Sequence, residues 1–255
     1  MVRKAYVLSR PQKLFVVCTS IFVAALVVAE ATAGKLFVAF ELPFTVRLFG
    51  EDFDQFVMTA GVIAFPITFI ITDLLNEYYG KSGIRFVTLI GMVMIVFEFV
   101  ILQIAMAVPP LPNGPLPEEA FDAVFGLSTW IIVGSLTAYL IGQLVDITLF
   151  HWLRQLTHGR HLWLRATGST FGSQFIDTFV VLFVAFYLPG QMSLQTVLAV
   201  TLFNYTYKFV LAVVITPVIY AAHWVMDLYL GKETAESLIH RAEADEAVAG
   251  SSAPV

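Results

Sequence analysis

Six long apolar runs punctuate the chain, at about 14–40, 56–76, 84–108, 127–150, 167–188 and 193–223. Each is longer than an ordinary strand and apolar around its whole circumference, whereas a helix on the surface of a soluble protein keeps a polar face. About 20 apolar residues cross a bilayer as a helix. In lipid every backbone donor and acceptor must be satisfied within the segment. The pattern therefore predicts an all-α fold, a polytopic transmembrane helical bundle of six spans. A porin-like barrel would alternate apolar and polar residues, and these runs are continuous. The first run follows the basic residues Arg3, Lys4, Arg10 and Lys13 and contains Ala29-Glu30-Ala31, as a signal peptide can. Its continuation to Phe40 favours a retained span.

Composition agrees with a membrane protein: 58% of the 255 residues are hydrophobic and only 13% charged, about half the charge of a soluble chain. The net charge of −5 gives no support to nucleic-acid binding. The single cysteine, Cys18, excludes an intrachain disulfide and a Cys-rich metal site, and its apolar setting reads as packing.

Charge placement orients the spans. Arg3, Lys4, Arg10 and Lys13 precede the first run; Lys81 and Arg85 follow the second. Arg154, Arg160 and Arg165 follow the fourth, and Lys232 and Arg241 follow the last. The remaining loops carry only Arg47. The positive-inside rule then puts both termini in the cytoplasm, with the chain in the cell membrane, the inner membrane of a Gram-negative cell. Lys35 and Lys208 fall inside predicted spans. The expected organisation is a basic cytoplasmic N-terminus (1–13), a six-helix transmembrane domain (14–228) and an acidic cytoplasmic tail (229–255), helical and then disordered. The loop from Pro109 to Phe125 is Pro-rich and acidic, as an external connection can be.

Glu30, Lys35, Asp73, Glu77, Glu98, Asp146, Asp177 and Lys208 all fall in or at the ends of apolar runs. A central charge costs about 2.5–3.5 kcal/mol on insertion scales, so such residues usually face a bundle interior or a water-filled cavity. Asp73 and Glu77 are four apart and share a helix face with Asn76; Gly80 is placed to end that helix. Gln143 and Asp146 are three apart. Ser169, Ser173 and Asp177 recur every four residues with Gln174 beside them, and Thr201, Asn204, Tyr205 and Lys208 are spaced at three and four. A lysine at that depth needs a carboxylate, and Asp177, Asp146 or Glu98 can supply one. Glu98 has no basic residue within a helical turn and is a candidate proton site; a protonated acid bonded to a neighbouring helix is the alternative.

Catalytic motifs are missing from the sequence: there is no HExxH, GxSxG or Walker A pattern and no Gly-x-Gly-Asp. No enzyme, metal or cofactor is expected. His151, His158 and His161 stand with arginines in a cytoplasmic loop and read as a headgroup-facing basic patch.

Phe65-Pro66-Ile67-Thr68 leads into Asp73-x-x-x-Glu77-x-x-Gly80-Lys81. Gly142-Gln143-x-x-Asp146-Ile147 follows, with Phe150, Leu153 and Arg154 after it, then Arg165, Ser169-Thr170, Ser173-Gln174-x-x-Asp177-Thr178 and Tyr207-Lys208. In this order, over about residues 14 to 225, the sequence resembles the queuosine precursor transporter family, small six-span proteins once filed with vitamin uptake transporters. The resemblance implies import of a 7-deazaguanine such as 7-cyano-7-deazaguanine or its aminomethyl counterpart. The implied partners are that small molecule and the lipid bilayer. A carboxylate can accept the adjacent N1–H and 2-amino donors in parallel, and amides can meet the 6-oxo edge. Expected substrate contacts are Asp73, Gln143, Asp146, Ser173, Gln174 and Asp177, with Lys208 compensating charge or meeting the 6-oxo group. Asn76, Glu77 and Glu98 are second choices. A carrier of a vitamin or another nucleobase, and a structural or assembly membrane protein whose charges only pair helices, are the alternatives.

Overall fold

The computed structural model describes residues 7–112, 114–156 and 162–251. Helix α1 (Arg10–Thr32) is followed by a hairpin of β1 (Leu36–Leu48) and β2 (Glu51–Thr59) and a 3-10 turn. Then come α2 (Phe65–Ala107), α3 (Glu118–Leu156), α4 (Leu162–Leu182) with a π-helical turn Phe183–Tyr187, α5 (Leu194–Val214), α6 (Thr216–Leu230) and α7 (Lys232–Ser251).

The chain is mostly helical, and among the described residues four stretches are long and apolar enough to cross a membrane: Arg10–Thr32, Ala60–Gly80, Ser82–Ala107 and Glu118–Gly142. Leu194–Leu211 and Thr216–Leu230, bent by 51°, make a fifth if they act as one span. The apolar stretch Gly172–Tyr187 is shorter. It is a multi-pass membrane protein.

Three expectations change. The first apolar run does not stay helical to Phe40: the helix ends at Thr32, and Leu36 opens a strand. Summed hydropathy cannot tell a strand from the end of a helix. Gly34 interrupts the run, and the hairpin closes through Phe49 and Gly50, both at positive φ (54° and 93°), as a two-residue turn requires. Lys35 consequently lies between α1 and β1, outside any span. The loop after Pro109 is also shorter than expected, because α3 starts at Glu118 with Glu118 and Glu119 in its first turn. Acids there complement the helix dipole.

Two compact units make up the fold. The first contains the chain up to Val28, Ala64–Met94 and everything from Leu211 on. Its core joins Leu14, Cys18 and Phe22 of α1 to Ile71, Leu74, Leu75 and Tyr78 of α2, with Leu230 of α6 and Ala235 of α7. The α1 residues recur every four positions and the α2 residues at three and four, so each helix offers one buried stripe. Gly91 lets α1 come close: a Cβ there would stand 2.9 Å from Leu26. α2 departs from helical geometry at Gly80 (φ 65°, ψ −176°), a conformation essentially confined to glycine. A Cβ on Gly80 would stand 3.2 Å from Ala242 of α7.

The second unit contains Ala29–Ile63 and Ile95–Val210. Ile131 of α3, Leu182, Ala185, Phe186, Val197 and Val200 form its core, with Ala33 and Val57 packed against it. The hairpin is fastened by Phe56, whose ring lies 4.7 Å from that of Phe203. Glu51 also holds it, accepting hydrogen bonds from Ser193 Oγ (2.8 Å) and Thr196 Oγ1 (3.0 Å) at the start of α5.

Candidate functional site

In the second unit, α4 and α5 bring a lysine to a line of polar side chains. Lys208 Nζ donates to Thr178 Oγ1 at 3.1 Å. Thr178 is buried and its hydroxyl donates to the Gln174 carbonyl at 2.9 Å. Asp177, one residue before Thr178, acts electrostatically on Lys208. Of the sequence-predicted residues, Asp177 and Lys208 thus come together, while Ser173 and Gln174 lie one turn earlier on the same helix as Asp177. Gln174 is exposed, Ser173 and Asp177 are half-buried. One turn before Lys208, buried Asn204 donates to the Val200 carbonyl at 2.8 Å, and Thr201 donates to Val197 at 2.8 Å. Local backbone bonds of this kind satisfy donors that lipid cannot.

Beside this line is an open hollow of about 560 Å³, lined by Val145, Leu149, Gly172, Phe175, Ile176 and Tyr205. The rings of Phe175 and Tyr205 meet edge-to-face, 5.5 Å apart at 88°. Gly142 of α3 lies near the acid, since a Cβ there would be 3.9 Å from the Asp177 Cβ. The side chains of Gln143 and Asp146 lie outside the described residues, as do those of Ser169, Thr170, His151, His158 and His161.

Two further acids belong to this unit. Glu30 is buried and accepts from Ser135 Oγ at 2.8 Å. Glu98 has an Oε2 shut away from solvent with no hydrogen-bond partner among the described residues. Both Glu98 and Asp177 act electrostatically on Glu30. Neither Glu30 nor Ser135 stood among the expected contacts. The sequence offered a charge inside an apolar run as the signal for Glu30, and nothing distinguished Ser135.

Asp73, Asn76 and Glu77 belong to the first unit, on the exposed side of α2 opposite its buried stripe. The Asp73 carboxylate is engaged by a residue that sequence reasoning missed: His223 Nε2 of α6 lies 2.9 Å from Asp73 Oδ2. Further along both helices, Tyr78 Oη donates to Asp227 Oδ1 at 2.8 Å and approaches the His223 carbonyl at 3.3 Å. The spacing His223-x-x-x-Asp227 puts both on one face of α6. His223 closes the last apolar run and so reads as a boundary residue. Among the described residues no group of three metal-ligating side chains converges.

The family model described as "Putative vitamin uptake transporter" matches residues 59–222. A Bacillus subtilis protein named "Probable queuosine precursor transporter" is 30% identical over 70% of this chain and 75% of its own length. A Haemophilus influenzae protein of the same name is 31% identical over 61% of this chain and 64% of its own. The Escherichia coli "Queuosine precursor transporter" is 27% identical over 62% and 69%. No solved structure matches the chain. The matched stretch holds the break at Gly80, the Lys208–Thr178 contact and most of the membrane-spanning helices, and the chain belongs to the vitamin-uptake-type transporter family that includes the queuosine precursor transporters.

Proposed function

We propose that this protein imports 7-deazaguanine precursors of queuosine, such as 7-cyano-7-deazaguanine and its aminomethyl counterpart, across the cell membrane. The observation that carries the reading is the similarity to transporters named for queuosine precursors over 61–70% of the chain. The gathered side chains are compatible with that cargo. A deazaguanine presents adjacent N–H donors and a 6-oxo acceptor. Asp177 supplies the acceptor pair, Gln174 and Ser173 the mixed partners, and Lys208 the cation that balances Asp177 or meets the oxo group. Gln143 and Asp146 of α3 are assigned to the same contact set. Asp73 is left to its bond with His223.

In this reading six passes cross the bilayer: the four long stretches, Gly172–Tyr187, and the bent pair Leu194–Leu211 with Thr216–Leu230. Both termini are cytoplasmic, on the strength of the loop lysines and arginines. Reporter fusions after Gly114 and after Gly190 are expected to report the outside; a cytoplasmic signal at either position overturns the topology.

Uptake of a labelled deazaguanine by a precursor-auxotrophic cell expressing the protein tests the function directly. Saturable accumulation, competed by both deazaguanines and not by guanine, is the expected result. The family description favours a second reading, a vitamin carrier, and accumulation of a vitamin with no deazaguanine uptake would establish it.

A further inference from the structure

The hollow of about 560 Å³ in the second unit is walled by three helices. Val145 and Leu149 come from α3, Gly172, Phe175 and Ile176 from α4, and Tyr205 from α5. None of the six stands among the expected substrate contacts. Residues three and four apart share a helix face, so α3 and α4 each give the hollow one stripe. Gly172 lets these two helices close on each other, since a Cβ there would run into Leu149. The lining is apolar except for the Tyr205 hydroxyl, and all six residues are half-buried, so each keeps some surface uncovered. The Phe175 and Tyr205 rings meet edge-to-face. In such a pair the ring that offers its edge is not covered by the other, which leaves a face for a third ring.

Charged groups stand at one end of this hollow. Leu149 lies against Gly172, and Gly142 lies against Asp177, where a Cβ on Gly142 would be 3.9 Å from the Asp177 Cβ. The two contacts run in opposite directions along α3 and α4, so the helices are antiparallel and Asp177 sits one turn beyond the hollow on their seam. Lys208 follows Tyr205 by three residues on α5. Its Nζ reaches Thr178, three residues beyond Phe175, at 3.1 Å and so arrives at the same end.

We infer, resting on the import reading above, that the hollow holds the ring of the cargo, with Phe175 and Tyr205 as its stacking residues. A flat two-ring heterocycle lies with its apolar face on these aromatic walls and turns its hydrogen-bonding edge to Asp177 and Lys208. A deazapurine is apolar over both faces and polar around its rim, which matches an apolar hollow with an acid and an amine at one end. The volume falls within the roughly 300–1,000 Å³ of small-molecule pockets. A membrane also offers acyl chains as apolar occupants. The lining, however, covers one turn of α3 and one of α4, about 6 Å of helix axis. That is short for a chain laid along the helices, and hydrocarbon makes no use of the acid and the amine.

Two measurements test the stacking role. In purified protein, Tyr205→Leu removes the ring and keeps an apolar side chain, whereas Tyr205→Phe keeps the ring and removes the hydroxyl. Affinity for labelled 7-aminomethyl-7-deazaguanine is expected to fall about tenfold in Tyr205→Leu and to stay within about twofold of wild type in Tyr205→Phe. The second measurement leaves both rings in place. With Cys18, the only native thiol, changed to alanine, Val145→Cys is treated in membranes with a small water-soluble thiol reagent. Added 7-aminomethyl-7-deazaguanine is expected to slow the labelling severalfold. Equal affinity of Tyr205→Leu and wild type overturns the stacking role and leaves import standing. So does a Val145→Cys thiol that stays unlabelled, as under an acyl chain, or that labels at a rate the deazaguanine leaves unchanged, in a protein that still takes the deazaguanine up. Wild type that neither binds nor takes up either deazaguanine overturns the import reading and the stacking role together.

Discussion

The two units meet the same difficulty, an ionisable side chain on an apolar helix, in different ways. In the second unit the cation is Lys208, a compact, strongly hydrated charge with three donors. It donates to the Thr178 hydroxyl at 3.1 Å and lies within reach of the charge of Asp177. In the first unit the basic group is His223, a ring that can stand neutral, bonded to a carboxylate that is nearly half exposed. A lysine that meets a hydroxyl and a nearby acid suits a site that must hold a polar cargo. A ring bonded to one carboxylate suits a contact that ties two helices together. The difference separates the residues expected to touch substrate from a pair that joins α2 to α6.

The largest effect should come from taking the counter-ion from Lys208. Asp177 acts electrostatically on Lys208, and its loss leaves that group without the nearby charge, so Asp177→Asn is expected to abolish uptake while the protein still inserts, as membrane-fraction blots can show. If Asp177 served only to pair with Lys208, the double change Asp177→Asn with Lys208→Met would restore transport. Its continued failure is the expected result and marks Asp177 as a cargo contact. A smaller loss is expected from Thr178→Val, which keeps the volume but removes the Lys208 acceptor. Hydrogen bonds to charged groups are worth about 1.5–3 kcal/mol, and Thr178→Ser should recover most of that in detergent melting. The smallest effect should be Tyr78→Phe. Asp227 is exposed and can turn to water, so about 1 kcal/mol is at stake. A drop in melting temperature as large as that of Thr178→Val would mean that the two units are not built on different principles after all.

Much of this was readable from residue order, and the failures have physical causes. Long apolar runs specify helices because lipid leaves few other choices, and most of the helices fall where those runs lie. The pairing of Lys208 with an acid followed from the cost of a lone charge, and Asp177 does act on it. The hairpin did not follow. Leu36-Phe37-Val38-Ala39-Phe40 is as apolar as a helix end, and only Gly34 and the Phe49-Gly50 turn mark the change. His223 was hidden for another reason. A histidine at the edge of an apolar run is indistinguishable from a boundary until the partner on a distant helix is seen, and Asp73 is 150 positions away.

The seat of Ala242 against Gly80 bears on how the protein should be handled in the laboratory. The C-terminal stretch carries few of the apolar residues that mark the rest of the chain, and trimming it is the obvious step toward better-behaved crystals. Ending the gene at Leu230 would uncover the backbone at Gly80, which has no side chain to fill the space. Affinity tags belong beyond Ser251, and a fusion partner replacing residues 232–242 should lower the yield of folded protein even though it removes nothing expected to touch cargo.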